Sequence, residues 1–223
     1  MIIKLLRHGL SGANTGEEDL KDVPDHKIKL VPKGIKQARK AGRKLGADFI
    51  RDAIVYVSPY RRTRQTTMEA LVGAGLIESS DQESPIRLYE DPRLRELEFG
   101  YDGQEGIDAQ RAMRDKIGYF WYRFEQGESP VQAYDRLSGF LDSFMRQMKR
   151  KKKKKALIVF HGLAIRLFVM RFFHLTVEEF DLMRTPDNCD VITIGPRKKI
   201  KNPQFVCGKW AVKGLRLTTE GAK

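Results

Sequence analysis

The stretch ALIVFHGLAIRLFVMRFF, residues 156–173, changes character in its middle. Its first five residues are a short apolar run suited to a buried strand. After His161 and Gly162 the apolar pattern continues through AIRLFVMRFF, which has the length of a helix. A buried strand that hands directly to a helix is the building unit of α/β folds. Three other runs read as buried strands: IIKLL (2–6), AIVYV (53–57) and VITI (191–194), with IRLY (86–89) a weaker fifth. Between them, GIKQARKAGRKLGADFI (34–50) aligns Ile35, Ala38, Gly42, Leu45 and Phe49 on one helical face. VQAYDRLSGFLDSFMRQM (131–148) does the same with Val131, Tyr134, Leu137, Leu141, Phe144 and Met148. The alternation predicts a three-layer α/β/α sandwich with a mainly parallel central sheet. Such sheets bind ligands at the carboxyl ends of their strands. His8, after the first strand, and His161, after ALIVF, stand at that address.

The chain has 223 residues, enough for one large domain with its own core. No repeat or linker divides it, so residues 1–223 read as a single domain. Within it, 11–32 reads as a long polar loop, and a basic, less patterned tail begins near Arg197. Cys189 and Cys207 have neither metal-ligand spacing nor a disulfide framework, which points to a reducing compartment. The opening MIIKLL is too short for a signal peptide, and no apolar run approaches a membrane span. A cytoplasmic protein is the expectation, with the nucleus left open by a basic run. The formal net charge is +13, of which KRKKKKK (149–155) carries seven, leaving +6 for the rest. A moderately basic body suits an anionic substrate such as a phosphate ester.

Four segments gain meaning together: LLRHGLSGAN (5–14), YVSPYRRTRQTT (56–67), LRELEFG (94–100) and VFHGLAIRL (159–167). The first, second and fourth place an arginine or imidazole where a strand ends. Arg62 falls at the first turn of the helix after Ser58-Pro59, where backbone N–H groups and the helix dipole favour an anion. Arginine forks hold phosphate oxygens bidentately. Arg7, Arg62 and the two histidines thus describe a phosphate pocket. A neutral His8 can attack phosphorus, and the nearby cations disfavour its protonation. Gly9 would leave room for the phosphate. His161 would stabilise charge spreading over the phosphoryl oxygens. Glu96 is the candidate acid for the leaving oxygen and the base for the hydrolytic water. The scheme needs neither metal nor cofactor.

These segments resemble the histidine phosphatase superfamily, which contains cofactor-dependent phosphoglycerate mutases and related phosphatases. RHGLSGAN matches its R-H-G signature, which implies His8 as nucleophile, Arg7 as phosphate ligand and Asn14 as a phosphate-pocket residue. SPYRRTRQT assigns the second arginine to Arg62, LRELEFG places the acid at Glu96, and VFHGLAIR makes His161 the second histidine. The likeness spans roughly residues 2 to 195, and four elements in order make a specific signal. PDHKIKL, YVSPYRRTR, YFWYRFEQGES and DRLSGFL bring the chain nearer to phosphoglycerate-mutase-like phosphatases of plants and fungi. It departs from the pattern at Leu10, where a polar residue is usual, and at Phe160, where Ser is common. Pro32 replaces a capping Thr at a helix start.

The resemblance implies a phosphomonoester hydrolase working through phospho-His8 on a small phosphorylated substrate. A phosphoglycerate mutase is one alternative, and a low-turnover binder of phosphorylated or acidic partners is another. His26 reads as a loop residue beside Asp25, and His174 as a helix cap. YFWYRF (119–124) reads as core, with a share in the substrate cavity as the alternative. KRKKKKK reads as a solvated loop, in preference to a nucleic-acid or anionic-membrane patch. Oligomeric state leaves no signal.

Overall fold

The computed structural model describes residues 1–100 and 103–218. Its elements in chain order are β1 (Ile2–Arg7), α1 (Gly12–Thr15), α2 (Pro32–Leu45), α3 (Ala47–Asp52), β2 (Ile54–Val57), α4 (Arg61–Gly73) and β3 (Leu88–Glu90). There follow α5 (Gly103–Ala109), α6 (Arg111–Ile117), α7 (Pro130–Arg150), β4 (Lys155–Phe160), α8 (Gly162–Phe173) and α9 (Val177–Leu182). The chain continues with β5 (Met183–Arg184), β6 (Val191–Pro196), β7 (Phe205–Cys207), β8 (Trp210–Lys213) and β9 (Arg216–Leu217).

Seven strands form the central sheet in the order β3-β2-β4-β1-β6-β8-β7. The half from β3 to β1 is parallel, and β6, β8 and β7 extend it in antiparallel pairs. Five of the seven strands therefore point the same way, the mainly parallel sheet expected from the strand–helix alternation. The pleat sends alternate residues to opposite faces. Ile3 and Leu5, Ile54 and Tyr56, and Ala156, Ile158 and Phe160 pack with α7 and α8. Leu6, Val55 and Val57, and Leu157 and Val159 pack with α2, α3 and α4. Three layers follow from strands apolar on both faces.

The predicted helix over 34–50 is two helices. Gly46 adopts φ +81° and ψ 145°, a region open to glycine alone, and separates α2 from α3. α2 starts at Pro32, which occupies the first turn as expected. Residues 11–32 hold α1 and a 3-10 turn, Asp25–Lys27, rather than loop alone. The tail beyond Arg197 is also more ordered than its sequence suggests, since β7 and β8 complete the main sheet and β9 pairs with β5. These strands are two to four residues long, too short for an alternating pattern to stand out.

In the basic run, Lys149 and Arg150 end α7 and Lys155 opens β4, so the turn proper is 151–154. Lys153 donates to the Asp52 carbonyl at 3.0 Å, and Lys155 pairs with the Asp52 carboxylate at 2.8 Å, at the end of α3. His174 caps α8 in the left-handed conformation at φ 55°. In YFWYRF, Phe120, Tyr122 and Phe124 are core, while Trp121 is 57% exposed. Among the described residues no helix is long and apolar enough to cross a membrane.

Candidate active site

Strand register assembles the site. β1 and β4 run parallel with Arg7 opposite Phe160, so the next residues, His8 and His161, emerge side by side. The His8 amide donates to the Phe160 carbonyl at 3.0 Å, and the Ser58 amide to the Val159 carbonyl at 3.0 Å, bringing the end of β2 alongside. The two imidazole centroids are 5.3 Å apart in an edge-on arrangement. The Tyr60 ring lies 5.0 Å from His161 on its other side.

His8 is buried, with Nδ1 2.8 Å from the Gly9 carbonyl. A carbonyl only accepts, so Nδ1 carries the proton and the lone pair lies on Nε2. Burial first, then the charges of Arg62 and Arg7, hold the imidazole well below the ordinary 6.5, and the ring is neutral near neutrality. His161 is fully buried and is lowered in the same way, by burial, Arg62 and His8 in that order. Its Nε2 lies 2.8 Å from Ser58 Oγ, and its Nδ1 has no partner among the described residues.

Arg7 ends β1. Its Nη1 donates to the Pro186 carbonyl at 2.6 Å, while the buried Nε has no partner among the described residues. Gly162 makes space for it, because a Cβ there would lie 3.1 Å from Arg7 Nε and 2.4 Å from Thr185 Cγ2. Arg62 stands in the first turn of α4 as expected, but it is already paired. Its Nη1 and Nη2 meet the Asp25 carboxylate at 2.6 and 3.2 Å. Asn14 uses Oδ1 to accept from Ser11 and from Asn188 Nδ2, the latter at 3.1 Å. Glu96 is held from across the site. Its oxygens accept the Leu163 and Ala164 amides of the α8 N-terminus at 3.2 and 3.1 Å.

Arg7, His8, Asn14, Arg62 and Glu96 all line one cavity of about 460 Å³, so five of the six expected residues meet there. His161 does not line it and sits behind the cavity wall beside His8. Tyr119 does line it, which gives one ring of the aromatic cluster a place in the cavity wall. Gly9 corrects its expected role. A Cβ at Gly9 would meet the Gly34 carbonyl at 2.6 Å, so the vacant space is filled by α2 and not by a ligand.

Three further residues emerge only in the fold. Asp25 grips Arg62, Ser58 bonds His161, and Asn188 bridges the His8 carbonyl and Asn14. Asp25 and Ser58 lie inside segments already quoted, PDHKIKL and SPYRRTRQT. Asn188 sits in a polar turn without any distinguishing pattern.

The chain is 36% identical over 206 residues to the phosphoglycerate mutase-like protein AT74H of Arabidopsis thaliana, covering 84% of this chain and 71% of that one. It is 24% identical over 282 aligned positions to the broad-range acid phosphatase DET1 of Saccharomyces cerevisiae, covering 86% and 84%. Among solved structures, a mycobacterial glucosyl-3-phosphoglycerate phosphatase superposes with a TM-score of 0.71 at 19% identity, covering 97% of this chain and 99% of that one. At that identity the likeness concerns the fold. The sequence profile of the histidine phosphatase superfamily, branch 1, matches residues 3–206, and with the strand-end histidines and paired arginines in place the chain belongs to that superfamily.

Proposed function

We propose that the protein is a phosphomonoester hydrolase that works through a phosphohistidine on His8. One observation carries the reading: a neutral His8, its proton tied to the Gly9 carbonyl, presents Nε2 in a cavity lined by Arg7 and Arg62. The phosphoryl group is held by the guanidinium of Arg7, Asn14 and the free edge of Arg62. Nε2 attacks phosphorus, the P–N bond forms, and the P–O bond to the leaving group breaks. Glu96 gives its proton to the departing oxygen. Water then attacks phosphorus, returns a proton to Glu96, and frees His8 as the P–N bond breaks. Ser58 Oγ at His161 Nε2 holds that ring edge-on beside His8, so His161 positions the nucleophile from behind the cavity wall. Family membership and the acid phosphatase among the relatives support hydrolysis as the outcome.

Trapping with a ³²P-labelled aryl phosphate tests it. Acid-labile label on the protein, absent from His8→Gln, is the expected result. Undiminished hydrolysis by His8→Gln would overturn the mechanism.

A further inference from the structure

The cavity is charged against the grain of the molecule. The chain carries 42 basic and 29 acidic residues. Among the described residues, however, the cavity is lined by two arginines and no lysine, against four carboxylates, Glu18, Asp19, Asp25 and Glu96. Neither arginine is spare. Arg62 is already matched by Asp25, and Arg7 stands beside His8 where the phosphoryl group must lie.

The carboxylates divide likewise. Glu96 belongs to the reacting end, held by the start of α8. Glu18 and Asp19 belong to the segment after α1, and both hold their positions through backbone bonds. Glu18 accepts the Lys29 amide at 3.1 Å, and Asp19 accepts the Lys21 amide at 2.8 Å. Among the described residues neither forms an ion pair, and both line the cavity, Glu18 half-buried and Asp19 exposed. The rest of the wall offers Leu20, Phe99, Ile107 and Tyr119.

A phosphate ester entering this cavity directs its leaving group at that wall. An uncharged leaving group finds apolar surface. A second anion meets two carboxylates and, among the described lining residues, no cation beyond Arg7 and Arg62, at distances within a Debye length. We infer that the cavity selects phosphomonoesters whose leaving group is uncharged or cationic and has an apolar face, and rejects leaving groups that carry a second anion. The inference rests on the cavity being a phosphoester site. It also separates this chain from an enzyme built to hold phosphoglycerates, whose carboxylate needs a cation here. The basic exterior attracts either kind of ester, so the choice is made inside the cavity.

A matched pair tests the inference. Glycerol 3-phosphate and 3-phosphoglycerate share a three-carbon skeleton and differ by a hydroxymethyl group against a carboxylate. The expected kcat/KM is at least tenfold higher for glycerol 3-phosphate, with choline phosphate no worse than it. The ratio should shrink at least threefold in the Glu18→Gln/Asp19→Asn double variant, which keeps the backbone acceptors and removes the charge. Calorimetric binding of the same esters to His8→Gln reads the preference without turnover. Equal handling of the pair, or a ratio unmoved in the double variant, overturns the inference. Preferential binding of the uncharged ester without turnover by the wild-type protein sustains it and sinks the hydrolase reading instead.

Discussion

Asp25 and Arg62 are locked together by more than one ion pair: besides the two carboxylate contacts, Arg62 Nη1 donates to the Asp25 main-chain carbonyl at 2.7 Å. The arginine side chain is 5% exposed and the aspartate 29%. Three of its five N–H donors are thereby committed, and Nε–H with one Nη2–H remains for an anion. Asp25 acts as the positioning partner of a cation that burial would otherwise make expensive.

Asp25→Ala should therefore weaken the phosphate grip while leaving His8 untouched. The expected outcome is a fall of about tenfold in kcat/KM, carried by KM, with stability lower by roughly 1–3 kcal/mol. Steady-state kinetics and denaturant titration check both parts. A kcat loss at constant KM would place Asp25 in the chemistry instead.

Stability should fall on the acid side because of the two histidines. Burial and neighbouring arginines hold both well below the ordinary 6.5 in the folded protein, and unfolding restores them to it. Between those values the unfolded chain binds more protons, so stability rises with pH and is complete above about 6.5. Below it, each histidine removes up to about 1.4 kcal/mol per pH unit until its folded value is reached. Urea titrations at pH 7 and pH 5 should show a smaller loss in His161→Gln than in the wild type. An identical loss would show that the histidines do not govern the acid limb.

Gly34→Ala should destabilise the protein although glycine within a helix is ordinarily improved by alanine. A Cβ there would lie 2.0 Å from the Leu10 carbonyl, a backbone atom with nowhere to retreat. The same contact fixes the loop that carries His8, since the Gly9 amide donates to Thr66 Oγ1 at 3.0 Å and the Leu10 amide to Gln37 Oε1 at 2.9 Å. A loss of roughly 1–3 kcal/mol is expected from overpacking. Thermal unfolding alongside Gly16→Ala, where the Cβ would meet open space, separates crowding from the effect of φ.

The residues that supply charge to the site were legible in the sequence because each sits beside a strand end or in the first turn after one. Arg7 and Arg62 are of this kind, and the neutral His8 stands at the same address. Asn14 rests on the family pattern alone, and Glu96 is a candidate for its carboxyl chemistry, because nothing in LRELEFG reveals that its carboxylate reaches the start of α8. What stayed hidden acts through tertiary approach. Asp25 lies in the 11–32 stretch that reads as a polar loop, and its partner Arg62 arrives only with α4. Asn188, 180 positions from His8, donates to its carbonyl only because β1 lies between β4 and β6. Gly9 pointed to the right loop for a different reason from the one expected, since the contact it permits is with a helix.

The position of β1 also has a kinetic consequence. β1 lies in the middle of the sheet, and the strands on either side, β4 and β6, begin only at Lys155 and Val191. Until then its two edges are unpaired, and an unpaired apolar strand is an invitation to other chains. Parallel pairing across such a sequence separation closes slowly, because the long loop must be ordered before any ladder bond rewards it. His8, at the end of β1, thus acquires its neighbours only after β4 and β6 have paired with that strand. A nascent chain that stalls before His161 holds Arg7 and His8 without the residues that the sheet brings beside them.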